Sequence, residues 1–291
     1  MAARLAVANL KGGVGKSTTT MFLAETLALC HGVRVLVVDL DPQSSTSFML
    51  LSSEGMDVAE SMGRLLPKFL LDVEGKGPKP ELHSYIVGEA SDLEELRGRC
   101  VRGRVDVLPS VPRLWFVETV IEKRSYIQNV DPGAELRLTL GQYLHPLDAF
   151  YDLIIFDCPP GFSGLTRAGL LGADMVLSPT IADAVSMRSL TDFVEIGLGE
   201  VLQKKDIPHF VVISKYQQRT TDPAEINRLR RRYDVLEPPI GFSIQMTKAT
   251  QRLRHNSFRT YRAKYGRLEA DIRALTDQFY RYALAKGAAN E

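Results

Sequence analysis

The stretch that most limits the fold lies near the start of the chain. There a short apolar run, Leu5–Leu10, stops at Lys11-Gly12-Gly13-Val14-Gly15-Lys16-Ser17-Thr18, and a helical pattern follows. An apolar run without polar alternation marks a strand buried on both faces, as in a parallel sheet. Met21, Leu23, Ala24, Leu27 and Ala28 supply the apolar positions of a helix over Ser17–Cys30. Gly32 ends that helix, and Val33–Val38 reads as a second buried strand. Strand, crossover helix and strand together make a βαβ unit, whose crossover is right-handed. Between strand and helix, the glycines let successive backbone N–H groups curl into one concavity, and the helix N-terminus adds positive potential. This is an anion cradle, in which Lys16 reaches the β- and γ-phosphates and the Ser17 hydroxyl faces Mg²⁺.

Further buried-strand patterns stand at Val105–Leu108, Leu153–Phe156, Met175–Ser178 and His209–Ile213. Helical patterns lie between and after them, at Arg113–Ser125, Leu136–Leu144, Ser186–Gln203, Ala224–Arg232 and Leu268–Ala285. Strands alternating with helices predict an α/β fold, one doubly wound and mainly parallel sheet flanked by helices. Residues 52–104 are the irregular part, with Pro67, Gly75, Gly77, Pro78 and Pro80. They are expected to form a helical insertion with a flexible segment around 72–82 rather than a second domain. The reading is therefore one domain over 1–291, with a basic C-terminal third at about 201–291.

Composition narrows the setting. No stretch of about 18 apolar residues is present, which argues against a membrane span. The opening MAARLAVANLKGG lacks the apolar core and cleavage site of a secretory signal, so a cytoplasmic protein is expected. Cys30, Cys100 and Cys158 are odd in number and include no CxxC pair, so neither a disulfide framework nor a zinc site is expected. The net charge of +1 hides an asymmetry: Val201–Glu291 holds 18 Lys or Arg against 9 Asp or Glu, which leaves 18 against 26 before it. A basic third attracts phosphate or anionic lipid.

Two acidic positions follow strand patterns. Val38-Asp39-Leu40-Asp41-Pro42-Gln43 places carboxylates at the carboxyl end of the second strand, where open α/β sheets bind nucleotides. In Tyr151-Asp152-Leu153-Ile154-Ile155-Phe156-Asp157-Cys158-Pro159-Pro160-Gly161, four apolar residues end in Asp157, the pattern whose carboxylate holds magnesium or its water shell. Cys158 reads as a small packed residue.

The usual spacing GxxxxGK[ST] would put glycine at position 10, where this chain has Leu10. The loop KGGVGKST, the DxDPQ motif at 39–43 and the YDLIIFDCPPG motif, with Val107-Leu108-Pro109-Ser110 upstream, instead resemble the ParA/MinD ATPase family. That resemblance is strong over 4–50 and 105–200, weak over 201–291 and absent in 52–104. It implies that Lys11, Gly12, Gly13, Val14, Gly15, Lys16, Ser17 and Thr18 bind ATP. Ser17, Asp39 and Asp157 would serve Mg²⁺, Asp39 through water. The catalytic set would be Lys11, Lys16 and Asp41, with Asp41 positioning the attacking water. In relatives the extra lysine, here Lys11, crosses the interface of a homodimer that sandwiches ATP and touches the other subunit's phosphates. Relatives often carry Asn in an NxY-like motif at the adenine pocket. The corresponding Val212-Ile213-Ser214-Lys215-Tyr216 departs from this at Ser214, leaving Ser214 and Lys215 as the candidates.

Lys248, Arg252, Arg254, Arg259, Arg262, Lys264 and Arg267 occur with no acidic residue between the first and the last. Tyr261 and Tyr265 interleave with them, and Arg228, Arg230, Arg231 and Arg232 form a second cluster. Non-specific DNA binding draws its affinity from such cations on phosphates. Contacts are expected from Lys248, Arg252, Arg254, Arg259 and Arg262. The resemblance then implies a nucleoid-associated partition or positioning ATPase. It would dimerise on ATP, bind duplex DNA without sequence preference and release when a cargo-bound ParB-like protein stimulates hydrolysis. A MinD-like membrane-cycling regulator is the alternative, but the tail Asp277–Glu291 lacks the dense apolar-plus-lysine pattern of an anchor. An iron–sulfur reductase of the nitrogenase iron-protein type and a small-molecule ligase on the same fold are more remote.

Overall fold

The computed structural model describes residues 1–75, 77–97, 102–204, 206–244, 246–247 and 258–285. Its frame is one sheet of seven strands in the order β3-β2-β4-β1-β5-β6-β7, every pairing parallel. The strands are β1 Ala3–Val7, β2 Arg34–Asp39, β3 Arg104–Leu108, β4 Leu153–Asp157, β5 Met175–Thr180, β6 His209–Ile213 and β7 Asp234–Leu236. Alternate residues of each strand feed opposite cores. Leu5, Val7, Val35, Val37, Leu153 and Ile155 meet Met21, Phe22 and Leu27 of helix α1 (Lys16–His31) on one face. On the other, Ala6, Leu36, Val38, Ile154 and Phe156 meet residues of helices α4 (Arg113–Gln128), α5 (Pro132–Leu144) and α6 (Gly164–Gly172). Burial on both sides explains why the strands read as continuous apolar runs.

Two differences from the sequence reading have local causes. The first strand ends at Val7 rather than Leu10, because Asn9 turns the chain: its Nδ2 donates to Pro179 O at 2.9 Å and its Oδ1 accepts Lys11 N at 3.1 Å. β7 was not foreseen; three residues with an exposed first position carry no legible period. In the segment 52–104 the described residues include helices. Helix α2 (Ser45–Ser61) enters it across a kink at Ser52 (φ 65°, ψ 174°), and helix α3 (Leu66–Glu74) follows. Val87 then bridges Val107 on the sheet edge. Beyond β5, helix α7 (Ala184–Asp192) runs on as a π-helical stretch, Phe193–Val201, where one helix to Gln203 was expected. Helix α8 (Pro223–Arg232) precedes β7, and helices α9 (Tyr261–Tyr265) and α10 (Glu269–Phe279) close the described chain. No helix among the described residues is long and apolar enough to cross a membrane.

One strand residue carries a pH dependence. His209, at the start of β6, sits between the rings of Phe193 and Tyr233, with Nε2 2.9 Å from Ser178 Oγ. Burial pushes its imidazole down to about 4. Unfolded chains take up this proton near pH 6.5, and the native fold refuses it until about 4. Stability should therefore fall as pH drops through that interval, by at most about 1.4 kcal/mol per pH unit. Urea midpoints at pH 7 and pH 5, for the parent and for His209→Gln, check this: the variant should lose less on acidification.

Candidate nucleotide site

The register explains why the candidate residues meet. Val7 pairs with Asp157 and Asp39 pairs with Asp157, so the carboxyl ends of β1, β4 and β2 lie side by side. The glycine loop springs from β1, in the middle of the sheet, into α1. Gly13 (φ 72°) and Gly15 (φ 91°) adopt left-handed backbone there, a conformation that side chains with a Cβ disfavour. Gly15 caps α1, which leaves the first N–H groups of that helix facing the loop.

Two lysines close on this loop, and a third leaves it. Lys16 is buried, and its Nζ reaches Lys11 O at 3.3 Å and Asn9 O at 3.5 Å. Burial lowers its pKa from the ordinary value, although the carboxylates of Asp157 and Asp41 act in the opposite sense. Lys215, in left-handed backbone at the end of β6, donates to Gly13 O at 2.7 Å. Lys11 turns the other way: its Nζ donates to Ser186 Oγ at 2.7 Å and lies 3.7 Å from Asp183 Oδ1.

The carboxylates differ in environment. Asp157 is fully buried and accepts hydroxyl bonds from Thr46 at 2.5 Å and Thr20 at 3.1 Å. Burial pushes its carboxyl up to about 6, against the hydroxyls of Thr46 and Ser17, which favour the charged form. Asp39 is equally buried, but its own chain engages both oxygens: Oδ1 accepts Asp41 N at 3.0 Å, and Oδ2 accepts Ser47 N at 2.9 Å and Ser47 Oγ at 2.6 Å. It clips the β2–α2 turn, and this qualifies its expected part in a magnesium site. Asp41 accepts Gln43 N at 2.8 Å, and burial raises its pKa while Gln43 N and Lys16 oppose the rise.

These groups fit a triphosphate with magnesium. The cationic ends of Lys16 and Lys215 rest on backbone carbonyls, weak acceptors that phosphate oxygens would replace with charge-assisted bonds. No group of three His, Cys, Asp or Glu able to hold a metal occurs among the described residues. A cation at Ser17 and Asp157 would therefore draw further oxygens from phosphate and water, as Mg²⁺ does. Beside the loop lies a cavity of about 300 Å³, lined by Thr18, Phe22, Ser214, Ile240, Phe242 and Ser243 among others. Ser214 borders it, yet its hydroxyl is 2.7 Å from Val14 O and 3.2 Å from Thr180 O, so it braces the loop.

The AAA domain family model matches residues 2–206. The chromosome partitioning protein ParA of Caulobacter vibrioides is 30% identical over 223 residues, 75% of this chain and 71% of that one. The chain belongs to this family, among the ParA/MinD-type P-loop ATPases. Other relatives at 30–31% identity are matched over only 61–62% of their own length. Among solved structures, a Cyanothece McdA variant in complex with ATP superposes with a TM-score of 0.70 at 19% identity, covering 96% of this chain and 95% of that one. Cobyrinic acid a,c-diamide synthase of Mycobacterium smegmatis, with bound ADP and magnesium, superposes at 0.69 with 25% identity, covering 98% and 97%. Relatives in this family thus hold nucleotide and magnesium.

The structure also brings in residues that motif reading passed over. Thr20 lies one turn after Lys16 and so shares its helix face, a signal that was available. Asn9, Thr46, Ser47, Asp183 and Ser186 arrive by tertiary contact. Cys158 is buried beneath α6, where a Cβ on Gly169 would come within 2.9 Å of its sulfur, and burial pushes its thiol up. That is a packed residue. Cys100 lies outside the described residues.

The basic run divides. Lys248, Arg252 and Arg254 lie outside the described residues, while Arg259 and Arg262 are exposed. Lys264, Tyr261 and Tyr265 do not belong to the surface: all three are buried, with Lys264 bound to Glu25 and Asp92. In the other cluster, Arg228, Arg230 and Arg232 each face a carboxylate, from Glu225, Glu237 and Glu195.

Proposed function

We propose that this chain is an ATP-dependent partition or positioning ATPase of the cytoplasm, acting on the nucleoid. The observation that carries the reading is the convergence of Lys16, Asp41 and Asp157 on one glycine cradle, with Lys11 at its outer edge. ATP with Mg²⁺, when bound, supplies the phosphoanhydride to be cleaved and part of the charge neutralisation. The loop N–H groups and Lys16 hold the phosphates, and Ser17 with Asp157 orients the cation. Thr20 and Thr46 keep Asp157 aimed at the loop. Asp41 aligns water for attack, and its raised pKa suits a group that handles a proton. Lys11 enters the partner subunit's phosphate site in an ATP-sandwich homodimer and offsets charge as transfer proceeds. Side-by-side basic surfaces of that dimer, including Arg259 and Arg262, then hold duplex DNA, and a ParB-like protein on the cargo triggers release.

Light scattering with ATP tests the first half. Asp41→Ala should accumulate as a stable dimer, and Lys11→Ala should bind ATP yet stay monomeric. A monomeric Asp41→Ala beside a dimeric Lys11→Ala would reverse the roles. For the second half, DNA should bind in the presence of ATP and far more weakly without it, with a log–log salt slope of about −0.9 per neutralised phosphate. Salt-insensitive binding, or binding indifferent to ATP, would sink the DNA reading. A small-molecule ligase is the second reading, favoured by the likeness to the diamide synthase. ATP turnover indifferent to both DNA and self-association would support it.

A further inference from the structure

The outer edge of the sheet carries a groove that the nucleotide site does not use. β7 stands last in the strand order, and no strand among the described residues lies on its far side. A cavity of about 1000 Å³ runs along it, lined by five consecutive residues, 233–237. Successive side chains of a strand point to opposite faces, so a hollow on one face would meet only alternate residues. Leu236 packs into the core on the α1 side and Val235 against the core on the other, yet both border this hollow. It therefore follows the edge of the strand, where the N–H and C=O groups not paired with β6 point outward. Each layer walls it: Arg230 of α8 on one side, and on the other Gln278 of α10 with Tyr282 of the π-helical stretch Tyr280–Leu284. Just past β7, Glu237 N donates to the Gln278 side-chain carbonyl at 2.7 Å, an amide meeting the edge as a further strand would.

We propose that this edge is a docking groove for an extended segment of a partner protein, which pairs with β7 as a further strand and sets a lysine or arginine against Asp234. Backbone chemistry selects an extended peptide. It alone presents N–H and C=O groups in alternation at the strand's own rise of about 3.3 Å per residue. β7 is three residues long, so the paired segment is short, on the order of three to five residues. Charge selects the basic flank. Of the charged side chains that border the groove, Arg230 Nε and Glu237 Oε1 satisfy each other at 2.7 Å. Asp234 is exposed, with no ion pair among the described residues. The walls disfavour a second copy, whose own β7 lies equally recessed between Arg230 and Tyr282, so that the two edges would not meet. A single slim strand meets no such obstacle. In the sheet order β5 and β6 stand between β7 and β1, so docking here requires neither nucleotide nor the ATPase reading.

Fluorescence anisotropy of the full chain with a labelled peptide, Lys-Val-Thr-Val-Thr-Val-Lys, tests the groove. Binding should saturate. Two analogues, each methylated on one alternate set of backbone amides, keep every side chain and lose the donors of one edge. One of them should bind about tenfold or more weakly, and the other about as well as the parent peptide. Glutamate in place of both lysines should weaken binding by about two- to fivefold. Asp234→Lys, at the exposed first position of the strand, should reverse that preference, and thermal melts check that the variant is folded. Absence of saturable binding, or equal binding of the two methylated analogues, would overturn strand pairing. A charge preference unchanged in Asp234→Lys would overturn the basic flank. Sedimentation velocity without nucleotide supplies the last arm: self-association that the lysine peptide dissolves would assign the edge to a second copy and overturn the proposal.

Discussion

Lys16→Ala should lose ATP affinity by a hundredfold or more, which at 1.4 kcal/mol per decade is about 3 kcal/mol. Removing one member of a buried, hydrogen-bonded charge pair costs about 2–5 kcal/mol, and the Lys16 ammonium is buried at the loop with Asp41 and Asp157 acting on it. Without nucleotide the same change should be mild, because the acceptors it abandons are the carbonyls of Asn9 and Lys11 rather than carboxylates. Thermal melts with and without ATP and magnesium separate the two effects. Ligand at about 100 times its Kd stabilises the native state by about 2.7 kcal/mol, so the parent should show a clear upward shift and the variant almost none. An equal shift in both would remove the phosphate assignment from this loop.

Lys264→Met should be the most damaging single change away from the nucleotide site, at about 3–5 kcal/mol. The Lys264 ammonium is fully buried, 2.7 Å from Glu25 Oε1 and 2.6 Å from Asp92 Oδ1. Ser91 Oγ and the Tyr265 hydroxyl also donate to Glu25, and the Tyr261 hydroxyl donates to Thr26 Oγ1 at 2.5 Å, Thr26 itself donating to Phe22 O. Burial raises the Glu25 carboxyl above its usual value, and Lys264 is the largest influence holding it down. Taking the lysine away leaves two carboxylates in a dry interior. The network also joins three distant parts of the chain: α1, the loop at 91–92 and α9. Chemical denaturation should show the loss as a lower midpoint. Lys264→Met combined with Glu25→Gln and Asp92→Asn should recover much of it, because neutral polar groups no longer demand the cation. A Lys264→Met protein as stable as the parent would show that the triad is structurally idle.

Six of the seven strands, the crossover helix between β1 and β2 and the glycine loop were legible in the sequence because each is written in contiguous residues. An apolar run of four to six residues burying both faces, a glycine where backbone turns left-handed and a carboxylate one step past a strand all speak through local pattern. The ends of elements and the small edge strand β7 were less legible, since their limits depend on contacts such as Asn9 with Pro179.

Charge was where linear reading failed. Lys264, Tyr261 and Tyr265 stand in a basic run and look like part of a solvated face, yet they close a core against Glu25, a residue 239 positions earlier in the chain. Lys11 was assigned a role beyond its own subunit, and only the adjacency of β1 and β5 reveals that it has acceptors at home. Asp39 and Asp157 look alike as strand-end acids. Tertiary structure separates them: the oxygens of Asp39 accept from Asp41 and Ser47 of its own turn, whereas those of Asp157 accept hydroxyls from Thr20 of α1 and Thr46 of α2. The sequence by itself determined the sheet, the loop and the candidate carboxylates, through backbone preferences and burial that act over a few residues. Which ions face which partners was decided only by the fold, because electrostatic pairing depends on distance in space and on the water excluded around it.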